Sequence, residues 1–377
     1  MKRRCKDIDI TSVPYIESCI EKFIAKKKKD KICRFFAKMC SKKRSNVMLA
    51  LKTKNSEYHK MIREVALILS DEIKNRKLEL RQVNYYNRIC PSTHKPRRIG
   101  VQCPKQQLYD YIVVNALKPI INICGRYQCA CLDGRGQEYG VRAIKRWLKD
   151  PEMRYAAKMD IRKCYESVDK ELLLKFLARK IKNDDLLWLI ETLINTFDYT
   201  LSIGSYISQY LCNIFLSQAY HYLSSIKCPG VSHALFYMDD ILVIGKDKDK
   251  LRSDVLRFIF FMKNEMKLEI KKNWTLFRLK EDNFDKNGQI VEMMGYRVYR
   301  NKVTLRQKTY KHIRRILWRI RRIRNQRKWV NKKLLLKVPA YKGRILGSDI
   351  FSPAFLRIAK FSERLISSLN ILQRCSR

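Results

Sequence analysis

Asp239 and Asp240 are adjacent in LFYMDDILVIG, residues 235–245, a run that is otherwise apolar on both sides. A strand-like run of this composition is normally buried. Aspartate is rarely buried unless it is paired or bound to a metal. Two carboxylates ~4 Å apart repel by roughly 4 kcal/mol at an effective dielectric of ~20. Held among apolar strands, the pair calls for a compensating cation, and an all-oxygen donor set suits Mg²⁺. A plain turn signal is the alternative reading of two such aspartates, but it fits a more polar neighbourhood.

A third carboxylate, Asp160, ends the short strand-like stretch YAAKMD and leads into IRKCYESVD, where a helix begins. If that strand lies beside the hairpin, Asp160 faces Asp239. Together they suit two divalent ions about 3.5–4 Å apart, the arrangement used for in-line phosphoryl transfer. One ion activates an attacking hydroxyl and the other steadies a triphosphate and its leaving group. Two Mg²⁺ ions are expected, with Mn²⁺ as the alternative.

The elements that must position these groups can be read in outline. LELRQVNYYNRIC and KPRRIGVQCP are strand-like, and QLYDYIVVNALKPII is helical. DKELLLKFLARKI is a helix with Asp169 as its N-cap and Leu172, Leu173, Phe176 and Leu177 on one face. SYISQYLCNIFLSQAYHYL is an apolar helix entered through Gly204. HALFYMDDILVIG reads as two strands around a tight turn, and LEIKKNWTLFRL and EMMGYRVYRNKVTL add further strands. YKHIRRILWRIRRIRNQRKW repeats Ile and Leu at helical spacing and fills the other face with Arg and Lys. The expected fold class is α+β, with helices on one face of an antiparallel sheet.

Composition sets the partner class. Lys and Arg number 81 against 36 Asp and Glu, a formal net charge of +45 on 377 residues. Charge of this size repels itself in a compact chain, and a polyanion relieves it. Hydrophobic residues make up 46% of the chain, enough for a sizeable core and against wholesale disorder. No uninterrupted apolar run reaches ~18 residues, and the basic start MKRRC lacks the apolar core of a secretory signal. The 13 cysteines are scattered with no CxxC pair, as expected of reduced thiols in a cytoplasm.

Several motifs together resemble the reverse transcriptase family. YMDD, Tyr237 to Asp240, is similar to its signature, and MDIRKCYESVD to its first aspartate motif. GSYISQYLCNIFL resembles its nucleotide-facing helix, LEIKKNW and MMGYRVY its following motifs, and KPRRIGV its fingers strand. The resemblance covers residues ~80–300 in order and spacing. It implies a right-hand polymerase: a basic helical N-terminal extension over 1–75, fingers over 76–150, a palm carrying the YMDD hairpin over 151–300, and a basic helical thumb over 301–377. Asp160, Asp239 and Asp240 would be the catalytic carboxylates, and with Ile161 they would hold the metals. Lys95, Arg97, Arg98, Tyr165, Ile203, Gly204, Gln209 and Lys272 would bind the nucleotide. Among these, Tyr165 would exclude a 2′-hydroxyl, the basic trio would neutralise the triphosphate, and Lys271 or Lys272 would protonate pyrophosphate. Met294, Gly295 and Tyr296 would form the primer grip.

One motif departs from the common pattern. Most family members carry QGxxxSP where this chain has IGSYISQ, so Ile203 replaces Gln and Gln209 replaces Pro. This, with GRGQEYGVRAIKRWL and KKNWTLF, resembles the reverse transcriptases of diversity-generating retroelements. That resemblance implies copying of a template-repeat RNA with misincorporation opposite adenine, for diversification of a target gene. The implied partners are template RNA, the RNA/cDNA duplex, dNTPs and a pentameric helical accessory protein, with no membrane, in the cytoplasm of a bacterial, phage or archaeal host. No further endonuclease domain is read after the thumb helices. Retron, group II intron-like and abortive-infection reverse transcriptases are the alternatives. A non-catalytic RNA-binding scaffold is the reading from another class, and three converging carboxylates argue against it.

Overall fold

The computed structural model describes residues 4–90, 95–282, 284–326 and 331–349. The part of the expected thumb beyond residue 349 therefore lies outside the described residues.

Four helices come first: α1 (Val13–Lys26), α2 (Lys29–Met39), α3 (Arg44–Thr53) and α4 (Ser56–Lys74). Their apolar stripes, among them Ile16, Ile20, Phe23, Val65 and Leu69, are fully buried. A two-stranded hairpin follows, β1 (Asn84–Ile89) and β2 (Pro96–Val101). Next come α5 (Pro104–Ala116), α6 (Lys118–Ile121), the two-residue β3 (Gln128–Cys129) and α7 (Gln137–Leu148). Helix α5 is buried nearly all round, as befits a helix at the centre of a core. The N-terminal helices pack on it in one continuous apolar cluster that extends into the main sheet.

The middle of the chain gives β4 (Tyr155–Asp160), α8 (Cys164–Ser167), α9 (Lys170–Lys180), α10 (Asp184–Ile194), α11 (Tyr206–Leu223), β5 (His233–Tyr237), β6 (Asp240–Gly245) and α12 (Lys248–Asn264). Asp169 caps α9 as expected, its side chain accepting from Leu172 N at 2.9 Å. The chain continues through β7 (Thr275–Arg278), β8 (Val291–Met293), β9 (Tyr296–Val298), β10 (Val303–Leu305), α13 (Gln307–Asn325), α14 (Lys332–Leu335) and α15 (Val338–Leu346).

The main sheet runs β3-β5-β6-β4-β7. All its pairings are antiparallel except the parallel addition of β3 to β5. Side chains alternate across it with the strand period of two. Ala157, Met159, Phe236, Ile241 and Val243 join the core that holds the N-terminal helices, α5 and α11. Ala156, Leu235, Leu242 and Ile244 face a second core built from α7, the three-stranded sheet β10-β9-β8 and α13. Both faces are therefore covered, rather than the single helical face expected from sequence. The stretch 268–274 also departs from the expected strand. Only Ile270 bridges to Ile161, and regular pairing with β4 starts at Thr275. On α13, Ile313, Leu317 and Ile320 are buried, while Arg314, Arg315, Arg319 and Arg322 are exposed.

Candidate active site

The register of β4 against β6 fixes the carboxylates. Asp160 lies directly across from Asp240, and Ile161 N donates to Asp239 O at 3.0 Å. Asp160 thus faces Asp240 rather than Asp239. Asp160, Asp240 and Lys158 share one face of the sheet, by the alternation that also puts Leu242 and Ala156 there. Asp239 occupies the second position of the two-residue turn that joins β5 to β6, after Met238 at φ +56°. A positive φ at the first turn position suits the right-handed twist of a hairpin. Here it falls on methionine rather than glycine, a conformation that costs about 1–3 kcal/mol and persists only when the surroundings hold it. The holding group is Asn213 of α11. Its amide nitrogen lies 3.2 Å from Met238 Sδ and 3.1 Å from Ala130 O.

Burial raises the pKa of Asp239, and the neighbouring Asp160 charge adds to the effect. Burial likewise raises Asp240, and Lys158 acts against it. Lys158 Nζ is 3.9 Å from Asp240 Oδ1 and donates to Glu292 O at 3.0 Å. Lys271 forms an ion pair with Asp160, and its N–H donates to Asp160 O at 2.9 Å. It is Lys271, not the exposed Lys272, that meets the carboxylates. Among the described residues no three acidic, histidine or cysteine side chains are gathered as a ready-made metal cage. The donor chemistry nonetheless fits a hard divalent cation. Three acceptor-only carboxylates converge at one end of paired strands, two of them destabilised by burial, and two lysines supply the counter-charge.

Tyr165, on α8, is half-buried. Burial pushes its hydroxyl well above the usual tyrosine range, with Cys212 and Asp239 nearby. Beneath it, the Cys164 and Cys212 sulfurs lie 3.6 Å apart in the core. Most of the described cysteines are buried.

The hairpin β1–β2 carries Lys95, Arg97 and Arg98, all exposed. Arg98 is already engaged. It pairs with Asp198, and its guanidinium carbon sits 4.3 Å from the Tyr85 ring centroid. Arg97 projects to the opposite face of the strand and sits across from Arg88. The base of the hairpin is tied to the segment 203–209 by Gly100 N donating to Ile203 O at 2.7 Å. Gly204 has φ +110°, and a Cβ there would fall 2.5 Å from Gly100 O. Ile203 and Gln209 are half-buried at the mouth of α11.

Met294 and Gly295 form the turn between β8 and β9, with φ of +56° and +88°. Met294 and Tyr296 are buried, at 7% and 1% exposure, so their side chains serve the second core. A strand of nucleic acid passing this turn would meet its backbone. The sequence reading missed three polar groups that hold the site: Asn213, Lys158 and Asp110. Asp110 is a fully buried carboxylate on α5 that accepts from the first residues of α11.

No curated protein matches the sequence. Among solved structures, similarity is found to apo telomerase from Candida tropicalis truncated from its C-terminal domain (13% identity, 62% of this chain and 58% of that one, TM-score 0.43). It is also found to Candida tropicalis telomerase in complex with a TWJ fragment of telomeric RNA (11% identity, 83% and 59%, TM-score 0.47). The corresponding Candida albicans complex gives 10% identity, 77% and 64%, and a TM-score of 0.45. The chain spans about six-tenths of the length of these telomerase chains, and at such scores the likenesses carry no argument. The sequence match is of another order: residues 87–322, more than half of the chain, match the family described as reverse transcriptase (RNA-dependent DNA polymerase), and the chain belongs to that family.

Proposed function

We propose that this chain polymerises DNA on an RNA template, with Asp160, Asp239 and Asp240 as the catalytic carboxylates. The observation that carries the reading is their convergence at one end of β4 and the β5–β6 hairpin, against the cost of burying them. The aspartates, with Ile161 beside them, would hold two Mg²⁺, or Mn²⁺. Bound there, the ions supply charge neutralisation for the triphosphate and a more acidic 3′-hydroxyl. The protein's own groups do the rest. Asn213 keeps the Met238–Asp239 turn in its strained shape, so the carboxylates need no reorganisation. Lys158 holds Asp240 in place from the same face of the sheet. Lys271, which pairs with Asp160, would be the group that donates a proton to pyrophosphate. Arg97 and Lys95 are the cations left to meet the triphosphate, because Arg98 is committed to Asp198. Tyr165 lies under the sugar and favours deoxynucleotides. The turn Met294–Gly295 steadies the primer strand.

In this reading residues 76–150 act as fingers, 151–300 as palm and 301–377 as thumb, with 1–75 as a basic helical extension. Ile203 and Gln209 support a reading of the chain as the reverse transcriptase of a diversity-generating retroelement, which would copy a template-repeat RNA with errors opposite adenine, beside a pentameric helical accessory protein. Ile fills the position at which most relatives offer a polar amide, and it can neither donate nor accept a hydrogen bond. The test is extension of a DNA primer on a defined RNA, followed by sequencing of the cDNA. Incorporation of dNTPs with errors concentrated at template adenines is expected. Accurate copying removes the retroelement assignment and leaves the polymerase. Light scattering after co-expression with a small neighbouring helical gene tests the accessory partner.

A further inference from the structure

The segment 203–209 and the strand β2 come from distant parts of the chain, yet one side chain joins them. Asp110, 0% exposed, reaches both from α5. Its Oδ2 accepts from Ser205 Oγ at 3.1 Å, Tyr206 N at 3.1 Å and Ile207 N at 3.3 Å. These donors open α11, where the helix dipole favours a negative charge. Its Oδ1 accepts from Gln102 Nε2 at 3.0 Å, and Gln102 directly follows β2. Two residues back from Ser205, the helix mouth is bonded to β2 again, through Gly100 N and Ile203 O.

We propose that Asp110 is a positioning residue for the incoming nucleotide: it locks the fingers strand that bears Arg97 to the helix mouth that bears Ile203 and Gly204. The inference rests on the polymerase reading of the site. Asp110 touches no substrate and acts through the two elements it joins. All four partners are donors, so the site demands an acceptor at both oxygens. Burial pushes the carboxyl up to about 6, which leaves it ionised at neutral pH, while the four donors favour the charge. A carboxylate serves all four, and an amide of the same shape turns an N–H toward one side and breaks the joint there.

The test compares single-nucleotide incorporation by the full chain on a defined RNA/DNA primer-template. Asp110→Asn is expected to raise the KM for the correct dNTP about tenfold, as losing hydrogen bonds to a charged group implies. kcat should stay within about twofold, and affinity for the primer-template should be unchanged, because the carboxylates and the basic surface are untouched. Discrimination between correct and incorrect dNTPs should fall with it. Adding Gln102→Glu gives the new amide an acceptor on its N–H side, so Asp110→Asn/Gln102→Glu is expected to recover most of the lost KM.

Asp254→Asn is the control for a purely structural carboxylate. Asp254 is also buried and accepts from Gly230 N at 2.6 Å, at the end of the β5–β6 hairpin away from the turn. It should lower the unfolding midpoint without moving the dNTP KM. Asp110→Asn behaving like Asp254→Asn, with KM and discrimination at wild-type values, overturns the proposal. If Asp110→Asn does not fold, Ser205→Ala removes one of the four donors, and a KM unchanged in that variant overturns it equally. Wild-type protein that incorporates no dNTP at all refutes the polymerase reading instead.

Discussion

At the scale of single residues, Asp239 sets stability against chemistry. Burial, and next the Asp160 charge, raise its pKa in the folded chain. A carboxyl raised above its unfolded value, about 3.9, contributes most stability below that value and loses it as pH climbs through the folded one. At neutral pH the ionised group is therefore a net cost. Asp239→Asn is expected to raise the unfolding midpoint near pH 7, with the gain vanishing below about pH 4. Incorporation should fall at least a thousandfold, since the lost metal interaction is worth several kcal/mol. Mg²⁺ should raise the midpoint of the wild type and not of the variant. Thermal scans across pH, with and without Mg²⁺, read all three outcomes. Ile203→Gln tests the proposed specificity role of Ile203: cDNA sequencing should show errors reduced several-fold, the scale of one hydrogen bond of roughly 0.5–1.5 kcal/mol. The aspartates and Ile203 stand out in the sequence as candidates because their types clash with their apolar run or with a motif. Asp110 was not, because its α11 donors lie about 95 positions away and only the fold brings them together.

Among the elements, those with a strong period or a cap were readable and those defined by a partner were not. Helix α9 announced itself through Asp169 and its apolar face, and β5 and β6 through a turn between apolar runs. Residues 268–274 looked like a strand because Leu268 and Ile270 alternate with charged residues. Yet both are buried in a loop, and that loop instead delivers Lys271 to Asp160. The parallel strand β3 is two residues long, too short to leave a period. The joint between β2 and α11 shows how tightly such partner-defined contacts are built. Gly204→Ala would put a Cβ 2.5 Å from Gly100 O and 2.9 Å from Ile99 Cγ2, at a φ that L-residues rarely adopt. The expected cost is about 1–3 kcal/mol of backbone strain, released by parting the hairpin from the helix mouth. Single-turnover incorporation should show a raised dNTP KM, and a filter-binding assay should show unchanged RNA affinity. A wild-type KM would mean that the joint does not set the nucleotide pose.

For the whole molecule, net charge is the dominant fact. A formal +45 cannot be neutralised by the ion pairs seen, several of which join exposed side chains and are worth little. No helix among the described residues is long and apolar enough to cross a membrane. On the polymerase reading, nucleic acid is the polyanion that answers the charge, and α13 offers it an organised face. Ile313, Leu317 and Ile320 anchor the helix in the second core, which fixes Arg314, Arg315, Arg319 and Arg322 outward. Arg321 covers the half-exposed Trp318 ring at 5.0 Å, so the face carries an aromatic as well as charge. Phosphates neutralised by such a face release counterions, and the slope of log K against log salt falls by about 0.9 per contact on duplex. Replacing the four outward arginines by Gln should therefore flatten the slope by up to about 3–4 units for an RNA/DNA hybrid. The unfolding midpoint should hardly move, because none of the four is buried. Fluorescence anisotropy over a KCl series measures the slope directly. An unchanged slope would mean that these arginines face only water, and that the phosphate contacts lie elsewhere on the basic surface.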